Sequence, residues 1–241
     1  MKPCRSDVRG KAHAIPELRF ENQSLTSFAG LVLVQQFFAC IDLKARLRRC
    51  FRHLSGTVFG RATIFHQLIV HLLLGYRELR DRQDYRDDPL VQRVLGLKRL
   101  PDVATISRTL KDADARSVEN LRRLLRDMLF DRLETLGLAR ITVDFDGAVQ
   151  STGRFAEGTA VGFNQKKKGA RSYYPWFGTI AQTGQVLDFL HRSGNVHDSN
   201  GAQAFILACL QAIRETLPGV QIEVRMDSAF FSDEIISALE A

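Results

Sequence analysis

Apolar residues recur at three- and four-residue spacing through Ile64, Leu68 and Leu72, and again through Val118, Leu121, Leu125, Leu129 and Leu133. That period is the signature of amphipathic helices. It predicts helices over about 24–37, 42–53, 61–75, 88–95, 103–112 and 116–136, with Ser24 and Ser117 as N-caps and Gly96 and Gly137 as C-terminal stops. At Ala139 the texture changes. Short β-rich runs bounded by Gly, Asn and Asp follow: ITVDFD, YYPWFGTIA, QVLDFLHRSG and QIEVRMDSAF. Gln182 to Gln185 reads as a hairpin turn between the second and third runs. Residues 200–217 read as a helix between the third and fourth, and a last helix begins near Ser232. The fold class expected is α+β, an all-α N-terminal region over 1–139 followed by a mixed-sheet α/β domain over 140–241.

Composition narrows the class. A chain of 241 residues with 45% hydrophobic and 25% charged residues matches an ordinary globular protein and excludes a disordered or collagenous one. The longest apolar stretch, Phe28 to Leu43, is interrupted by Gln35 and Gln36 and falls short of the roughly 20 residues a membrane helix needs. No apolar core follows the basic N-terminal residues, so no secretory signal is read and a cytoplasmic location is expected. Cys4, Cys40, Cys50 and Cys209 lack CxxC spacing and read as buried free thiols, giving neither a disulfide framework nor a zinc site.

Charge is unevenly placed. Residues 1–140 carry 26 Lys and Arg against 16 Asp and Glu, a net +10, while 141–241 carry 8 against 11, a net −3. Such asymmetry fits a polyanion-binding region joined to a part with another task, or a basic helical surface that is merely solvated.

Candidate chemistry sits at strand ends. Side chains alternate along a strand, so Asp144 and Asp146 share one face of ITVDFDGAV while Val143 and Phe145 share the other. A carboxylate at the end of an apolar strand either caps the following turn, which Gly147 would accommodate, or pairs with a cation or metal. Asp227 ends the apolar strand QIEVRMD in the same way. Ends of adjacent strands converge, so Asp146 and Asp227 could hold Mg2+ or Mn2+ through hard oxygen ligands. The order β(Asp)–β–β–α–β(Asp)–α is that of a ribonuclease H-like core. Between the acids, Lys166, Lys167, Lys168 and Arg171 precede Tyr173, Tyr174 and Trp176, a loop that could hold a phosphate backbone or be a solvated charged turn. His66 and His71, five residues apart, are about 140° apart around a helix and do not form a metal pair; the six histidines read as surface or partly buried polar groups. No P-loop, Rossmann glycine pattern or Gly-x-Ser-x-Gly elbow is present.

Several motifs occur in a fixed order: Asp-Phe-Asp-Gly-Ala-Val, Gly162-Phe163-Asn164, Lys168-Gly169 with Ser172-Tyr173-Tyr174-Pro175, Gly194-Asn195-Val196-His197, and Val224-Arg225-Met226-Asp227-Ser228-Ala229-Phe230-Phe231. Together they resemble the catalytic domain of bacterial insertion-sequence transposases of the DDE type. Upstream, Gly75-Tyr76-Arg77-Glu78, Asp87-Asp88-Pro89, Leu95-Gly96 and Leu100-Pro101-Asp102-Val103-Ala104-Thr105-Ile106-Ser107-Arg108 resemble the helical N-terminal region of that family. The resemblance implies that Asp146 (alternatively Asp144) and Asp227 are the first two catalytic, metal-binding acids, with Mg2+ or Mn2+ as cofactor. It also implies double-stranded DNA partners, inverted repeats and target DNA, held by a homodimer associated with the bacterial nucleoid and no membrane. Lys166, Lys167, Lys168, Arg171 and Arg108 are the expected DNA contacts, Arg108 within a helix-turn-helix-like element at Leu100 to Leu110.

The family strand usually reads Asp-x-Thr, whereas Ala148 stands here. The third family acid is a Glu in a Tyr-x2-Arg-x3-Glu pattern, and no Tyr of this sequence has Arg three and Glu seven positions on. Glu234 follows Asp227 too soon and reads as a surface residue. The expected function is therefore DNA cleavage and strand transfer at inverted repeats, by an incomplete ribonuclease H-like domain inactive by itself. The alternative is a DNA-binding regulatory or inhibitory transposase remnant without catalysis.

Overall fold

The computed structural model describes residues 25–55, 58–153, 156–162, 164, 167–196, 201–227, 230 and 232–240. Helices come first: α1 (Leu31–Cys40), α2 (Leu43–Cys50), α3 (Arg61–Leu73), then a 3₁₀ helix (Leu79–Asp84), α4 (Pro89–Leu95), α5 (Val103–Lys111) and α6 (Ala115–Leu136). Then follow β1 (Arg140–Gly147), β2 (Gln150–Ser151), β3 (Ala160–Val161), β4 (Arg171–Tyr173), β5 (Trp176–Ile180), β6 (Gln185–Leu190), α7 (Ala202–Thr216), β7 (Gln221–Met226) and α8 (Asp233–Glu240). The α+β class read from hydrophobic period holds.

Local chemistry explains where the boundaries differ from the sequence reading. The first helix starts at Leu31 because Thr26 donates its hydroxyl to Asp88 at 2.9 Å, tethering the chain before the helix, and the Phe28 amide donates to Thr26 Oγ1. Asp42 adopts a left-handed φ of 50°, which separates α1 from α2. The cap of α6 is Asp114, not Ser117: the Ser117 amide donates to the Asp114 carboxylate at 2.9 Å, and Ser117 is buried inside the first turn. Gly96 and Gly137 end their helices in the left-handed conformation, as the spacing predicts. The proposed cap Ser24 lies outside the described residues.

Four strands form the main sheet in the order β6-β5-β1-β7, with β1 parallel to β7 and antiparallel to β5. Ile180 pairs with Gln185, closing the expected hairpin, with Gly184 at φ +67°. A second sheet, β2-β4-β3, is absent from the sequence reading because strands of two or three residues are too short to show alternation.

One face of the main sheet packs Ile141, Val143, Phe145, Trp176 and Ile180 against α6 and α7, through Leu129, Phe130, Leu133, Phe205, Ile206, Leu210 and Ile213. Each such buried side chain contributes roughly 1.5–3 kcal/mol by transfer from water. A separate cluster holds the helices, with Leu31, Val70, Tyr85, Val91, Leu95 and Leu100 at its centre. Residue 139 lies between α6 and β1, and α6 is bound to both the helices and the sheet. Its C-terminal half packs on the sheet, while Asn120 donates to Cys50 O of α2 at 2.8 Å and Arg46 pairs with Asp131.

Two sequence expectations change. His66 and His71 are buried, not superficial: His66 lies edge-on to Phe38, and His71 Nδ1 is 2.9 Å from the Tyr85 hydroxyl. Cys50 and Cys209 are buried thiols, burial pushing Cys209 up to about 12, but Cys40 at the end of α1 is exposed. Cys4 is outside the described residues.

Candidate active site

The acid end of the main sheet is built by strand register. Along β1, Ile141, Val143 and Phe145 turn inward and are buried, leaving Thr142, Asp144 and Asp146 on the opposite face. In the parallel β1/β7 pair, Asp144 stands opposite Arg225 and Phe145 opposite Met226. Continued by one residue, this register sets Asp146 opposite Asp227, which directly follows β7. Two carboxylates from separate runs of sequence are thereby brought to one strand end.

Asp144 has a different partner. Arg225 grips it with two bonds, Nε to Oδ1 at 2.6 Å and Nη2 to Oδ2 at 2.8 Å. The guanidinium hydrogen bonds hold its carboxyl below the usual carboxylate range. Asp146 accepts from the Gly147 amide at 2.7 Å, the local contact that the turn-capping alternative foresees. Arg225 escaped the sequence reading although a signal existed: Asp144 and Arg225 each stand two residues before an acid of the facing pair. One step toward the core, Thr142 Oγ1 donates to Glu223 at 2.8 Å, so this polar face is cross-linked along its length.

Gly147 is required by close packing. A Cβ there would lie 2.4 Å from the Tyr174 hydroxyl, so the Tyr174 ring closes over the strand end immediately beside Asp146. Tyr174 in turn receives the Arg192 guanidinium, whose Nε donates to Tyr174 O at 3.3 Å and which lies 3.4 Å from the centre of the Trp176 ring. Neither residue was singled out from sequence for this role, because the contact joins positions 27 and 45 apart from Gly147.

The predicted DNA contacts are distributed. The small sheet leaves β1 at its acid-bearing end, and Lys167 and Lys168 are exposed at the tip between β3 and β4, turned by Gly169 at φ +78°. Arg171 belongs to the sheet instead of the open loop: its Nε donates to Thr159 Oγ1 at 2.9 Å and its Nη2 to Thr159 O. Lys166 lies outside the described residues. Arg108 is exposed on α5, which packs on α3 and the 3₁₀ helix in the helical region. The link from α4 to α5 runs from Gly96 to Asp102, seven residues, longer than the three to four of a helix-turn-helix. Glu234 is exposed in the first turn of α8, as expected of a surface residue.

The sequence profile of the family described as transposase DDE domain group 1 matches residues 11–241. This chain belongs to that family. In its main sheet β5 and β6 lie antiparallel on one side of β1 and β7 lies parallel on the other. No curated protein matched this chain. Among solved structures, similarity is found to a Mos1 transposase paired-end complex with the left transposon end (11% identity, TM-score 0.31, covering 90% of this chain and 76% of that one). A pre-cleavage Mos1 transpososome (12%, TM-score 0.26, 86% and 74%) and a Mos1 mariner paired-end complex with Mn (13%, TM-score 0.27, 90% and 76%) are also similar. Likeness this slight transfers no geometry. Among the described residues no helix is long and apolar enough to cross a membrane.

Proposed function

We propose that this transposase-family chain serves an insertion sequence in bacterial cytoplasm, near the nucleoid, and acts at DNA inverted repeats as a homodimer. In this reading residues 1–139 hold DNA and residues 140–241 carry the reacting end of the sheet. The observation that carries it is the register that sets Asp146 opposite Asp227 in a chain of this family. Their donor chemistry fits Mg2+ or Mn2+, which take carboxylate oxygens and keep several waters. The metal, when bound, would activate the attacking water or 3′-hydroxyl and stabilise charge on the leaving oxygen.

The chain's own residues do the holding. Asp146 and Asp227 are the metal ligands. Arg225 occupies Asp144, and so leaves Asp146 as the first acid. Tyr174 packs on Gly147 and fixes the strand end on which Asp146 stands. Lys167 and Lys168, which follow Lys166 in sequence, form the phosphate-holding tip, Arg171 shapes its base, Lys166 adds a further phosphate contact, and Arg108 contacts DNA from the helical region.

Residues 1–241 supply two of the family's three acids, so by themselves they should not cleave. Two aspartates leave a second ion poorly held. Purified 1–241 should show no Mg2+- or Mn2+-dependent cleavage of transposon-end DNA, while a chain extended through a third acidic Glu should. Asp146→Ala or Asp227→Ala in the extended chain should abolish that cleavage. Cleavage by 1–241 that vanished in Asp146→Ala would refute the inactivity and implicate Glu234 or a second subunit. Inhibition of a complete transposase by 1–241, without strand transfer of its own, would instead support the regulatory alternative.

A further inference from the structure

Three arginines from separate stretches of the helical region converge on one cleft. Arg61 opens α3, Arg99 lies on the link between α4 and α5, and Arg108 stands on α5. With Val58, Phe59, Thr105, Thr109 and Asp112 they line a cavity of about 440 Å³. Each guanidinium carries five N–H donors. Arg61 gives one to Ser55 O at 3.2 Å, and Arg108 gives one to Ala104 O at 3.3 Å and one, at 3.4 Å, to Thr105 Oγ1. Among the described residues Arg99 is neither hydrogen-bonded nor ion-paired. None of the three forms a salt bridge with the cleft's single carboxylate, Asp112.

We propose that this cleft grips the phosphate backbone of double-stranded DNA without reading its sequence. The proposal rests on the DNA-binding reading above and assigns two residues, Arg61 and Arg99, that sequence analysis did not. Three like charges held around one concavity repel unless an anion lies among them, and planar guanidinium forks suit phosphate oxygens. The charges are spread over three elements, which matches a repeating polyanion better than one small anion. Arg108 of α5 lines this concavity together with Val58, Phe59 and Arg61, a shape that receives a backbone and is not a ridge that enters a groove. Contacts of that kind fix position and affinity and carry no base information. Asp112, which also lines the cleft, opposes the phosphate and weakens the grip.

The test uses the full chain, circular dichroism to verify folding, and anisotropy with fluorescent 30-bp duplexes, one of transposon-end sequence and one scrambled. The triple substitution Arg61→Gln, Arg99→Gln, Arg108→Gln should weaken binding roughly 10- to 100-fold on both duplexes. It should also flatten the salt dependence by about 2–3 in log–log slope, about 0.9 for each phosphate no longer neutralised. Asp112→Asn should tighten binding to both duplexes roughly two- to fivefold, a gain that misfolding cannot mimic. Inorganic phosphate at millimolar concentration should compete no better than sulfate at equal ionic strength; selective competition by phosphate would mark a small-anion site and overturn the proposal. A folded triple variant with unchanged affinity and slope would also overturn it and leave the DNA-binding reading standing. Loss on the end sequence alone would replace backbone grip with base readout. Absence of duplex binding by the unsubstituted chain would bring down both.

Discussion

In the sheet region, charges that leave water meet opposite charges. Asp188 of β6 is buried on the core side and receives Arg122 of α6 through two bonds, at 3.0 and 2.7 Å, with Arg126 3.7 Å away and Glu119 bridging both arginines. In water-exposed positions on the opposite face, Asp144 also pairs with Arg225, and Glu223 accepts from the Thr142 hydroxyl. The helical region differs in both its charges and its apolar surface. Among the described residues Arg61, Arg99 and Arg108 surround a cleft without salt bridges, His66 is buried with neither ring nitrogen partnered, and Leu33, Phe37 and Leu73 stay exposed along a cavity of about 620 Å³. On the reading proposed above, two acids at one strand end need a fixed register, and the Asp144–Arg225 and Thr142–Glu223 contacts span that register between β1 and β7. On the DNA-binding reading proposed above, the arginine cleft keeps its three cations available, because a cation already paired would have to be released first.

The largest effect should come from breaking the paired core. Arg122→Met leaves Asp188 buried with only the distant Arg126, and should lower stability by about 3 kcal/mol. The double substitution Arg122→Met, Asp188→Leu should recover most of that loss in urea unfolding, because an apolar pair carries no desolvation penalty. Failure of the double variant to recover would mean the ion pair specifies the α6 to β6 packing and not merely neutral burial.

Acid should strike the helical region next. Burial lowers His66 from an ordinary 6.5 to about 4, and burial also lowers His71. Between those values the unfolded chain binds a proton that the folded chain refuses, so stability falls as pH drops from about 6.5 towards 4 and is flat for this group above 7. By pH 4.5 the His66 share should be about 2–3 kcal/mol. Denaturant midpoints at pH 7 and 4.5 should show His66→Phe losing less on acidification than the parent chain; equal losses would remove His66 as the cause.

A smaller loss, about 1–2 kcal/mol, is expected for Asp88→Ala. Asp88 caps α4 through the Leu90 and Val91 amides at 2.9 and 3.1 Å and also anchors Thr26. Thermal melting would check it, and Asp88→Asn should retain part of the cap. The smallest stability change belongs to Asp144→Asn, under about 1 kcal/mol because the Arg225 pair is solvent-exposed. In a chain extended to a third acid, that variant should keep cleavage within a few-fold, while Asp146→Asn loses it. The reverse result would transfer the first acid to Asp144 and break the division between structural and reacting carboxylates.

Much of this was legible from residue order. The helical period of Leu121 to Leu133, the left-handed glycines at 96 and 137, and the alternation of ITVDFD are local properties, set by backbone geometry and side-chain polarity within a few residues. The candidate acids were legible for the same reason, since a carboxylate ending an apolar strand is conspicuous within a single short window. The two-residue strands of the small sheet were not, because their pairing comes from partners ten or more positions away.

What only the tertiary structure decided is which like residues do unlike things. Sequence placed Asp144 and Asp146 on one strand face, with Asp146 as first acid and Asp144 as its alternative; Arg225, arriving 81 residues later through β7, pairs with Asp144, and the register sets Asp146 opposite Asp227. His66 and Lys-rich tip residues are equally polar in the sequence, yet one is sealed in a helix core and the others stand in water. Arg61, Arg99 and Arg108 are scattered over 48 positions and become one cleft only when α3 and α5 pack together. Local pattern fixes the direction in which each side chain leaves its own element, but the charge it meets is set by chain packing over long sequence separations.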